Sequence, residues 1–144
     1  MSTANPSLQS AARSPIASLL ESRLLFLLAR ILLTLPFWLS GIAKVVDFNG
    51  ATAEMAFFGL NPPVAYAIAT IFTQLVGSAL VIQGRHAWLG AGALAIFTAL
   101  TIPIAHRFWA VEGEMAMIEL FFVIEHIGLI GGMMLAAILC HKRG

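Results

Sequence analysis

Four stretches of the chain are almost unbroken apolar runs, parted by short polar punctuation. They run from Leu24 to Val46, Val64 to Ile82, Ala87 to Ala105 and Leu120 to Leu139. Each matches the length a helix needs to cross a hydrocarbon core, about 20 mostly apolar residues. Strands of a membrane barrel would be about half as long and would alternate polar with apolar. Asn61-Pro62-Pro63 ends one run and opens the next, because proline has no N–H for a helix interior yet fits a first turn. Gly84-Arg85-His86 reads as a tight hinge, and residues 106–119 as a loop with three glutamates.

The pattern predicts an all-α fold, a polytopic membrane bundle of four helices over residues 24–139. A tail of residues 1–23 precedes it and a short tail of residues 140–144 follows. Met1 to Pro15, rich in Ser, Ala and Pro, is expected to be disordered. Ile16 to Arg23 suits a short surface helix. The segment Gly50 to Gly59 is too short to span. Its Met55, Phe57 and Phe58 fit either a small interfacial or re-entrant helix or a loop with aromatics among headgroups. The first run is not read as a cleaved signal, since it exceeds the usual hydrophobic region and contains Arg30. Pro36 and Pro103 fall inside helices, where each removes one backbone hydrogen bond and either opens space or is locally repaired.

Composition agrees. The 144 residues are 60% hydrophobic and 10% charged, whereas soluble domains are about 45–50% apolar and about 25% charged. The single Cys140 excludes a disulfide scaffold. A net charge of +1 without a basic run argues against nucleic acid as a partner. The expected surroundings are a lipid bilayer. Six of the eight Lys and Arg residues fall on the side of the two tails and the 84–86 hinge, leaving Lys44 and Arg107 opposite. Short loops rich in Lys and Arg stay in the cytoplasm, so both termini are expected there.

Ionisable groups inside a span cost roughly 2.5–3.5 kcal/mol on insertion scales and so ask for a reason. Arg30 and Lys44 lie 14 residues apart on one face of the first helix, with Phe37 and Gly41 between them. Snorkelling to opposite interfaces is the plain reading of both. Gln74 has Thr70 and Ser78 one turn to either side, a polar stripe that suits an interhelical hydrogen bond or a ligand contact. Glu125 shares a face with Gly128 and Gly132, a small-xxx-small pattern that lets helices approach, so Glu125 is expected to point into the bundle. Lys44, His106, Glu125 and His126 then form a polar cluster at the outer end, reaching toward Gln74. Such a cluster either fixes helix register or marks a functional site. Two histidines at one depth also allow haem ligation in principle, but no attachment motif accompanies them. No metal-ligand spacing is present.

Several of these residues fall into a known pattern. Arg30 with Phe37-Trp38-Leu39-Ser40-Gly41-Ile42-Ala43-Lys44 resembles the opening signature of the DoxX family of four-helix membrane proteins. Gln74 to Leu80, Gly128 to Gly132, and His106-Arg107-Phe108-Trp109 resemble later parts of it. Gln74 stands where many members carry glutamate, and Glu125-His126 where many carry Lys-Asn. The resemblance implies the four-helix fold and, for some relatives, quinone-linked redox chemistry. On that basis the chain is expected to be a small membrane subunit of a quinone-linked oxidoreductase, with a redox protein as partner. The alternatives are a non-catalytic adaptor that anchors an enzyme, and a small-molecule transporter working as a homo-oligomer. No covalently bound cofactor is expected; the candidate is a quinone. Glu125, His126 and His106 would move protons. Lys44, Gln74 and Arg30 would bind the head group, with Trp38 and Trp109 as apolar walls. The competing reading of both tryptophans is core packing or the interfacial aromatic belt.

Overall fold

A computed structural model describes residues 14–143. A short α1 (Pro15–Leu20) leads into α2 (Arg23–Val46), α3 (Phe48–Phe57), α4 (Pro63–Gln83) and α5 (Ala87–Ala105). A single 3-10 turn (Phe108–Ala110) precedes α6 (Glu114–Arg143). The four long helices match the four apolar runs, and each is long and apolar enough to cross a membrane. The disorder expected of the N-terminal tail concerns residues that lie, except for Ser14 and Pro15, outside the described ones.

Local chemistry sets the boundaries. The Ser22 side chain accepts from Leu25 N at the start of α2, and the Asp47 carboxylate accepts from Gly50 N at the start of α3, each satisfying one orphan donor. Gly84 ends α4 with φ of 86°, a left-handed cap that favours glycine. The 50–59 segment belongs to a helix, α3, whose Ala51 and Met55 pack on Ala67 of α4. α6 begins six residues before the expected Leu120, which brings Glu119 into the helix.

α2 packs on α4, α4 on α5 and α5 on α6, while α3 folds back over α4. The core between the spans is Phe37, Val81, Ala91, Leu94, Met133 and Ala136. α4 and α5 touch backbone to backbone at Gly77 and Gly90, where a Cβ on Gly90 would run into the Gly77 carbonyl. The start of α2, the Gly84 hinge and the end of α6 share one end of the bundle, since Arg30 lies against Gly84 and Arg143 donates to Leu20 O.

Candidate functional site: a polar cavity within the bundle

One stripe of α2 organises the interior. Arg30, Thr34, Phe37, Gly41 and Lys44 recur every three or four residues, and the middle three are buried. Lys44, at one end of this stripe, lines a cavity of about 510 Å³ walled by α2, α3, α4, α5 and α6. Phe37, Phe58, Phe97 and Tyr66 supply aromatic wall, and Pro36 also lines it. Pro36 of α2, Tyr66 and Ala69 of α4 and Leu100 of α5 line the cavity and are exposed. The cavity is therefore not sealed within the bundle. α4 and α5 are pinned together at Gly77 and Gly90, toward the other end.

The polar groups form two layers. Toward the α3 end of the bundle, Lys44 Nζ pairs with Glu54 Oε2 of α3. His106 Nδ1 meets Glu119 Oε2 at 2.8 Å, and the His106 and His126 rings pack edge to face with centroids 4.7 Å apart. A carbonyl only accepts, so the 2.7 Å contact of His126 Nδ1 with Phe122 O puts the hydrogen on Nδ1. With Glu119 ionised, His106 Nδ1 likewise carries its hydrogen, and Nε2 of the neutral ring is left as an acceptor. Deeper in, Gln74 Nε2 donates to Ser40 Oγ at 3.2 Å. Gln74 is only 5% exposed, and its Oε1 has no partner. The Thr98 and Thr101 hydroxyls donate to carbonyls of their own helix. An unsatisfied buried acceptor costs about 1–3 kcal/mol, and at a cavity wall a bound molecule can recover it.

Lys44, Gln74, His106 and His126 thus come together. Glu125 does not join them. It is exposed on the outside of α6, because the inward face of that helix follows Val123, His126, Met133, Ala136 and Cys140. Glu125 lies about 100° round from His126; of the two glycines expected to face a neighbour, Gly128 meets open space and Gly132 meets Leu33 of α2. Lys44 is instead neutralised by Glu54. Trp38 lies outside the cavity, its indole N–H donating to Ile31 O. Trp109 is 58% exposed and stacks edge to face on Phe108, so neither tryptophan is a wall. Arg30 lies at the opposite end, donating to Phe26 O and Val81 O.

Glu54 and Glu119 are the site residues that sequence reasoning missed. Glu119 carried a signal, since it stands four residues before Val123 and seven before His126 on one helical face.

The family model for DoxX matches residues 25–107. This chain belongs to the DoxX family. The DoxX match takes in Lys44, Gln74 and His106 and stops short of α6, so Glu119 and His126 lie beyond it. A relative, the inner membrane protein YphA of Escherichia coli strain K12, is 26% identical over 114 residues, covering 79% of this chain and 81% of its own. No solved structure matches. This DoxX protein is thus an integral protein of the inner membrane with four spanning helices.

Proposed function

We propose that the cavity binds the head group of a membrane quinone or quinol, and that the protein serves as a small membrane subunit of a quinone-linked redox system. One observation carries the reading: Gln74, whose buried Oε1 has no partner, lines a cavity that is also lined by His106, itself paired with Glu119. The groups left unspent there suit both forms of such a ligand. A quinol hydroxyl donates to Gln74 Oε1, with Ser40 accepting from the amide. Turning the amide lets Ser40 donate to Oε1 and leaves the NH2 for a quinone carbonyl, because a hydroxyl can act either way. The second quinol hydroxyl faces His106 Nε2, which takes its proton while Glu119 stabilises the resulting imidazolium.

Oxidation of the quinol releases two protons and two electrons. His106 accepts the first proton, the second leaves past His126 toward the α3 end of the bundle, and the electrons pass to a partner redox protein. Exposed wall residues on the spanning helices, Pro36, Tyr66 and Leu100, suit a ligand that arrives through the bilayer. The charge bias between the two ends supports a cytoplasmic arginine end, and on that reading the cavity lies in the outer leaflet.

The test is a titration of the purified protein with short-chain ubiquinol and menaquinol analogues, alongside extraction of co-purified lipids. Saturable binding that Gln74→Leu weakens supports the reading. Absence of quinone from the extract, together with no saturable binding of either analogue, would overturn it.

A further inference from the structure

The other end of the bundle holds a second built feature that the cavity does not use. A groove of about 710 Å³ opens there, lined by Arg23, Arg30, Arg85 and Arg143, with Glu21 as the carboxylate on its wall. The four guanidinium groups come from the start of α2, the interior of α2, the α4–α5 hinge and the end of α6. Two of them are held in place. Arg30 and Arg143 stack on the same Phe26 ring, 4.7 and 4.4 Å from its centroid. Arg30 also donates through Nε and Nη1 to Phe26 O and Val81 O, so its Nη2 remains for a ligand. Arg143 donates through Nη2 to Leu20 O, which leaves its other nitrogens.

We infer that this groove binds the phosphate of an anionic phospholipid head group. Guanidinium groups match phosphate oxygens two at a time, and fixing them in advance on Phe26 and on backbone carbonyls reduces the entropy lost when the ligand binds. The groove sits where α2 and α6 reach their ends, which is the depth of lipid head groups. Four guanidinium groups against one carboxylate leave it strongly positive. Basic pockets between spans are a known means of holding anionic head groups.

The experiment is native mass spectrometry of the full chain in neutral detergent, titrated with phosphatidylglycerol, with phosphatidylcholine and with inorganic phosphate. Phosphatidylglycerol is expected to bind at least about tenfold more tightly than phosphatidylcholine. Arg85→Gln and Arg143→Gln, both at exposed positions, are each expected to weaken it about fivefold, the equivalent of about 1 kcal/mol per basic group. Lys142→Gln removes the same charge from a residue outside the groove and is expected to change binding less than about twofold. Equal binding of the two lipids, or an equal loss in Lys142→Gln, overturns the site. Inorganic phosphate binding as tightly as phosphatidylglycerol overturns the lipid as the source of the phosphate.

Discussion

The two ends of the α2 stripe hold their charges in opposite ways. Around Lys44 the ionisable side chains are partnered within the chain: Lys44 pairs with Glu54, and Glu119 accepts from the His106 ring N–H. What remains unspent there is a pair of neutral acceptors, the amide oxygen of Gln74 and Nε2 of His106. Around Arg30 the guanidinium groups rest on an aromatic ring and backbone carbonyls, and positive charge is in excess. Partnered ionisable groups with idle neutral acceptors suit a neutral amphipathic ligand that can donate to them. Excess charge at a helix end suits an anion. One helix can therefore serve two unlike ligands because its cations are 14 residues apart and answered differently.

The largest expected effect breaks both ends together. α4 and α5 contribute to the cavity, α4 ends beside Arg30, and both depend on the contact at Gly77 and Gly90. In Gly90→Val the new side chain would meet the Gly77 carbonyl and the Val81 backbone, neither of which can move aside cheaply. A loss of about 3 kcal/mol or more is expected. It is checked by the yield of monodisperse protein and its thermal midpoint in detergent, with quinol and phosphatidylglycerol binding both lost.

Next comes a change that should separate the ends. Gln74→Leu removes the idle amide oxygen without adding much volume. Quinol affinity is expected to fall about tenfold or more, read by titration. Thermal stability should hold or rise, because a partly unsatisfied buried amide is gone, and phosphatidylglycerol binding should not change. A loss of stability in step with the loss of affinity would reduce Gln74 to a packing residue. Glu119→Gln is smaller. It keeps the shape but removes the charge that orients His106, and about a fivefold loss of quinol affinity is expected, again with the arginine groove unaffected.

The fold was legible because hydropathy over a helix length is a strong signal, and the α2 stripe because one helix carries its own 3.5-residue spacing. Partners were harder. Lys44 meets Glu54 because α3 folds back as a helix over α4, a segment whose sequence reads equally well as a loop. His106 meets Glu119 because α6 starts at Glu114, in a stretch whose three glutamates read as loop. In α6 the two glycines of the small-xxx-small pattern differ. Gly132 does meet a neighbour, Leu33 of α2, but Gly128 has none, and the inward face at the level of Glu125 is set by Val123 and His126.

That rotation of α6 leads to the smallest expected effect and the sharpest check on the site. Glu125 stands six residues, about 9 Å, further into the span than Glu119, and it faces out. If the cavity is bounded as the structure has it, Glu125→Leu leaves quinol affinity within about twofold, since no atom of the wall is altered. It also removes a carboxylate from a lipid-facing position, which insertion scales penalise, so the thermal midpoint in lipid nanodiscs should rise. A large loss of quinol binding in this variant would mean that α6 turns by about 100° in the working protein. Glu125 would then replace His126 in the wall, and the contrast between the two ends would have to be rebuilt with a carboxylate inside the cavity.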